Sequence, residues 1–236
     1  MRSRIPAVEL IRDREYLGTV ECLKLNTEYA AAFFDGKVEL HSIESKTSED
    51  SESTIFPDRA NNTARITSVA MTNDFFIYAT NAGHISYFYL DDWRTINEFR
   101  HSNAIRSIYA ETSGTRLIVV DSKLDGYIYS PLNDSMLVIT DWPSGVKGVL
   151  WENVAQEKDT FVVYDSEKLF TYIYYRDTLD GPKVKLIGSS KLPPDQNPLL
   201  LYNGAVTCQA HSGRLNTVTL DTHVFEGKTG DRTTSE

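Results

Sequence analysis

Five histidines, His41, His84, His101, His211 and His223, and two cysteines, Cys22 and Cys208, are the side chains that could ligate a metal ion. A zinc site draws its ligands from closely spaced pairs, two cysteines a few residues apart or two histidines one helical turn apart. Neither spacing occurs, so each histidine reads as satisfied or solvent-exposed. The carboxylates Asp35, Asp91-Asp92, Asp121, Asp125 and Asp165 stand where apolar runs end. Two of them could share acid-base work, as in a hydrolase, only by converging on one face. At strand ends, however, aspartate commonly closes turns by accepting hydrogen bonds from its own backbone, and each of these reads as such a turn residue. No Gly-x-Ser-x-Gly elbow, phosphate-binding lysine loop or dinucleotide glycine fingerprint is present. Trp93, Trp142 and Trp151, the last beside Glu152, could line a ligand pocket, yet the large apolar area of an indole favours packing between repeats. No catalytic, cofactor-binding or metal-ligating residue is therefore assigned, and a non-enzymatic protein without a cofactor is expected.

The bulk properties narrow the setting. Acidic residues outnumber basic ones 33 to 24, a formal net charge of -9, which disfavours a general phosphate-binding surface, so nucleic acid is excluded as a partner. Two cysteines are too few for a disulfide scaffold and fit a reducing, cytosolic compartment. Met1-Arg2-Ser3-Arg4 is basic, but Glu9, Arg12, Asp13, Arg14 and Glu15 leave no uninterrupted apolar stretch after it, so no secretory leader is read. Apolar runs of a handful of residues give no segment for membrane insertion.

The elements that would hold any site follow a repeat. After a polar lead-in over 1–18, an alternating run at Thr19-Leu25 precedes Glu28-Phe34, the turn Asp35-Gly36 and Lys37-Ile43. Asp-Gly between apolar runs predicts a hairpin, because both central positions of the tight turn need positive φ. The same three beats return at Arg65-Val69, Phe75-Ala79 and Ile85-Leu90, then at Ala104-Ile108, Arg116-Val120 and Tyr127-Tyr129 after a turn at Asp125-Gly126. They return again from Val146 through Phe161-Tyr164 to Leu169-Tyr174, and once more at Leu199-Leu201, Ala205-Gln209 and Arg214-Val218. Aligning Gly36, Gly83, Gly126, Glu167 and Gly213 gives spacings of 47, 43, 41 and 46 residues. A period near 40–45 residues with four strands per unit is the signature of WD40-type propeller blades. Fourth strands are expected at Ser53-Phe56, Trp93-Phe99, Met136-Thr140 and Lys183-Gly188, with none evident in the fifth unit. The expected fold is all-β: a WD40-like β-propeller of about five four-stranded blades over 19–225, in an incomplete or open ring. The Trp-Asp dipeptide is missing from every third-strand end. Pro193-Pro198 reads as a linker, the acidic, Ser-rich loop 45–53 as a solvated insertion, and 226–236 as a disordered tail.

Particular stretches carry a resemblance. Lys147-Gly148-Val149-Leu150-Trp151-Glu152-Asn153, Pro198-Leu199-Leu200-Leu201-Tyr202-Asn203-Gly204 and Thr207-Cys208-Gln209, supported by Val20-Glu21-Cys22, Tyr87-Phe88-Tyr89 and Gly114-Thr115-Arg116-Leu117, occur in one collinear order. Together they resemble the second propeller of WD-repeat core subunits of intraflagellar transport complex A. The resemblance implies a protein-binding scaffold in retrograde ciliary transport, ciliary entry of membrane cargo and cilium assembly. It implies the other subunits of complex A and ciliary membrane-cargo adaptors as partners, and the cytoplasm, cilium and ciliary base as location. It carries over no site residues, since such scaffolds bind through broad surfaces. A coat-type propeller in vesicle trafficking is the alternative that the blade period alone allows.

Overall fold

A computed structural model describes residues 13–43, 53–57, 64–153 and 159–221. The described residues contain nineteen antiparallel strands and no helix, the strands grouped in chain order into five small sheets. Blade 1 holds β1 (Cys22–Leu25), β2 (Tyr29–Phe34), β3 (Lys37–Ser42) and β4 (Ser53–Phe56). Blade 2 holds β5 (Ile66–Met71), β6 (Phe75–Thr80), β7 (His84–Tyr89) and β8 (Arg94–Arg100). Blade 3 holds β9 (Ile105–Ala110), β10 (Leu117–Asp121), β11 (Gly126–Ser130) and β12 (Ser135–Val138). Blade 4 holds β13 (Gly148–Trp151), β14 (Thr160–Tyr164), β15 (Lys168–Tyr175) and β16 (Lys183–Lys191), and blade 5 only β17 (Gln196–Tyr202), β18 (Ala205–Ala210) and β19 (Leu215–Thr219).

Within each blade the strands pair in sequence order, and the pattern of apolar residues follows their position. Second strands have neighbouring blades on both faces and read as unbroken apolar runs, so that all of Leu117–Asp121 is buried. Outer strands alternate, as in Arg94–Arg100, where every residue but Asn97 and Phe99 is exposed. First strands touch their successors from β1 to β5, β9, β13 and β17, which sets them around a common axis. Four apolar clusters fill the four blade-to-blade junctions; Phe56, Phe76 and Phe88, for example, join blades 1 and 2.

The turn Asp35-Gly36 has the predicted left-handed pair, φ 49° and 69°. Two local expectations need correction. The blade 3 turn spans 121–125, with Leu124 at φ 69°. Gly126 instead begins β11, and a Cβ there would run into the Trp142 indole. The stretch Pro193-Pro198 is not all linker, since β17 starts at Gln196. Pro198 is tolerated there because β17 is an edge strand and its register with β18 shifts between Pro198 and Leu200. Residues 226–236 and most of loop 45–53 lie outside the described residues.

Residues 1–12 of the lead-in lie outside the described residues, and the rest of it is engaged with blade 1. Arg14 pairs with Glu39, and the Tyr16 hydroxyl lies 2.9 Å from His41 Nε2, with its ring against Phe34 and His41. Phe34, Glu39 and His41 share the face turned away from blade 2. On blade 5 the face turned away from blade 4 carries Leu200, Tyr202 and Leu215, all exposed. Among the described residues the ring is open between those two faces.

Candidate protein-interaction site

The side chains singled out by type are held in separate structural roles. His41 is buried, with Nδ1 2.9 Å from the Ser42 carbonyl; His101 meets Asp121, and His211 is exposed. His223 lies outside the described residues. Among those residues no three histidines, cysteines or carboxylates gather as a metal cluster. The aspartates are spread over four blades. Asp35 pairs with Arg65, and Asp165 Oδ1 caps its turn by accepting from the Glu167 and Lys168 N–H groups, each at 2.7 Å. Asp91 and Asp92 sit between third and fourth strands, at the opposite end of their blade from the turns that hold the others.

Asp121 is the most elaborately held. It has no exposed surface and accepts from Asn103 Nδ2 at 2.7 Å, from the N–H groups of Lys123 (2.9 Å) and Asp125 (3.1 Å), and from the Tyr127 hydroxyl. Burial by itself pushes its pKa up. The hydrogen bonds from Asn103, the Asp125 N–H, His101 and the Lys123 N–H outweigh it and hold the carboxyl below its usual value.

The tryptophans join blades. Trp93 donates to Thr54 Oγ1 at 3.2 Å and packs edge-on to Phe88; Trp151 Nε1 donates to the Tyr109 carbonyl at 3.0 Å. Arg116, which no sequence pattern marks, lies over the rings of Trp151 and Tyr174 and pairs with Asp159. Glu152 serves the next blade. Nearly fully buried, it accepts from Asn203 N–H at 3.0 Å and Gly204 N–H at 3.2 Å, the left-handed turn between β17 and β18. An Asn-Gly pair is a hairpin signal, one that the strand assignment passes over at 203–204, and nothing in the chain order links it to a carboxylate some fifty residues earlier.

What remains available for recognition is surface. A cavity of about 250 Å³ lies on the axis at the C-terminal ends of the first strands, with a contribution from every blade: Lys24, Met71, Tyr109, Trp151 and Leu200 among them. Among the described residues Lys24 is its only charged lining residue, and no histidine or carboxylate lines it. The cavity can accept an apolar or anionic side chain, and its described lining residues include no paired acid and base of the kind that proton transfer would use.

Comparison with known proteins agrees with this geometry. The solved structures of Kluyveromyces lactis Hsv2p and of the β-propeller domain of Cps50 (Swd1) from Myceliophteria thermophila superpose with TM-scores of 0.63 and 0.59. Each is 12% identical; 86% and 89% of this chain are covered, against 68% of either structure, a likeness of fold alone. The chain is 46% identical over 222 residues to WD repeat-containing protein 19 of Homo sapiens, covering 93% of itself and 16% of that relative. It is 35% identical over 233 residues to WD repeat-containing protein dyf-2 of Caenorhabditis elegans, covering 98% of itself and 17% of that protein. It thus spans about a sixth of the length of these relatives. The family described as the WDR19 second beta-propeller matches residues 2–223, and the chain belongs to that family.

Proposed function

We propose that the chain is a non-enzymatic, protein-binding propeller of the intraflagellar transport complex A type, working in retrograde ciliary transport, membrane-cargo entry and cilium assembly. The observation that carries the reading is the family match across residues 2–223, together with 46% identity over 222 residues to a WD-repeat relative. The arrangement of its side chains supports a scaffold: buried carboxylates cap turns, tryptophans join blades, and the axial cavity is lined mainly by apolar side chains, with Lys24 its one charged residue among those described. The partners are the other subunits of complex A and ciliary membrane-cargo adaptors, met at the ciliary base and within the cilium.

The test is affinity capture from ciliated cells with the tagged chain beside a full-length relative, after circular dichroism has established that the tagged chain is folded. Co-enrichment of complex A subunits with both baits is the expected result. Enrichment with the full-length bait alone, from a folded chain, rejects assembly through this propeller.

A further inference from the structure

At the end of the molecule where second strands turn into third strands, a cleft of about 190 Å³ opens between blades 3 and 4. Val120, Leu124, Pro143 and Val146 form its apolar lining, and among the described residues Arg106 and Lys147 are its only charged lining residues. Both cations are exposed, and neither enters an ion pair among the described residues. Asp125 and Asp141 flank the cleft in sequence without lining it. In a chain of net charge -9, this is a local concentration of unneutralised positive charge beside exposed apolar surface.

Leu124 is out of place by the ordinary rules. Its N–H closes a turn onto the Asp121 carbonyl at 3.0 Å, as Gly83 N–H does onto Thr80 and Gly213 N–H onto Ala210 in blades 2 and 5. Those positions have φ 84°, and both are glycine; Leu124 has φ 69° and a Cβ that this region disfavours. The side chain is 44% exposed, so burial inside the molecule does not account for it. Asp121, capping the Lys123 and Asp125 N–H groups, holds the turn that presents it.

We propose that this cleft docks an acidic peptide segment of a partner protein. Its carboxylates would sit on Arg106 and Lys147, and one of its apolar side chains would sit on Leu124, Pro143 and Val146. Charge complementarity selects the segment and the apolar floor anchors it. β3 and β4, the strands that the chain's own acidic stretch joins in sequence, meet at the opposite end of blade 1, so the segment is assigned to a partner. The proposal rests on reading the chain as a protein-binding module, but not on which complex it joins.

Fluorescence anisotropy with the folded chain tests it, using a fluorescein-labelled octapeptide of alternating glutamates around a central leucine. The control is the same peptide with every glutamate replaced by glutamine. The acidic probe should bind about tenfold or more tighter than the control, and more weakly as salt rises. Arg106→Glu and Lys147→Glu should each weaken it about tenfold. Leu124→Gly, which suits the turn, should leave the melting temperature unchanged or higher while lowering affinity. Equal binding of both peptides, indifference to both charge reversals, or no binding at all overturns the proposal. Displacement by equimolar inorganic phosphate also overturns it, since that marks a small-anion site. Peptide binding by a chain that fails to capture complex A subunits keeps the cleft and rejects the complex; capture without peptide binding does the reverse.

Discussion

Glu152 has the chemistry of a general base and the surroundings of a cap. Its two oxygens are taken by backbone N–H groups of blade 5, and the Trp151 indole beside it is tied to blade 3. A carboxylate in that position is a covalently tethered anion for a left-handed turn, and its charge strengthens both bonds. Glu152→Gln keeps the shape but weakens one acceptor and introduces a buried amide donor, so it should cost about 1–3 kcal/mol, read as a lower denaturant midpoint. Asp121 provides a second test through pH. Its carboxyl is held below the usual value, so the stability it gives is present above about pH 3.9 and is lost as pH falls through the lower folded-state value. Asp121→Asn should be less stable at neutral pH and show a shallower acid limb in urea titrations between about pH 5 and pH 2. Equal acid limbs for the two proteins would place the proton uptake elsewhere.

At the level of elements, the strand repeat was legible because its causes are local. Alternating and continuous apolar runs, Asp-Gly at 35–36 and a spacing of 41–47 residues all reside in short windows, and the fourth strands of blades 1 to 4 fall where the pattern put them. The misplaced features depend on partners that are distant in sequence. Gly126 reads as a turn glycine until Trp142 is seen lying on it, and Pro198 reads as a linker until β17 is known to be an edge. Arg116 was invisible as a contact because Asp159 and Tyr174 are more than forty residues away. No site residues were assigned from sequence, and the axial cavity could not have been, since each blade contributes only a few side chains to it. The lead-in belongs to the same class. Through Arg14 and Tyr16 it covers part of the blade 1 face that has no neighbouring blade. Tyr16→Ala should therefore cost about 1–2 kcal/mol. Comparison of Tyr16→Ala, His41→Ala and the double variant should give a coupling energy clearly above zero, whereas additive losses would mean that the lead-in does not rest on His41.

For the whole molecule, the junctions between blades set the alkaline limit and the open ring sets the association behaviour. Tyr87, Tyr129 and Tyr172 lie in the clusters between blades 2, 3 and 4, and their phenols are pushed up, chiefly by burial. A raised folded value means that their contribution is intact below about pH 10 and is lost as pH climbs toward the folded values. Unfolding should therefore coincide with the rise in tyrosinate absorbance, and replacing all three by phenylalanine should move that transition to higher pH. The two faces across the opening act differently, because they present apolar side chains to water in every copy. Leu25 is 58% exposed on blade 1; Tyr202 and Leu215 are 58% and 61% exposed on blade 5. The two faces differ from each other, so contact between copies runs from blade 5 of one to blade 1 of the next, a geometry that need not close. Sedimentation equilibrium should show an average mass that rises with concentration. Leu25→Lys with Leu215→Lys should hold the protein at the monomer mass while shifting stability by no more than about 0.5 kcal/mol, because neither side chain packs in a core. If the double variant associates as the parent does, the open faces are not what joins the copies, and the outer edge of β19, which no described strand pairs, becomes the element to block.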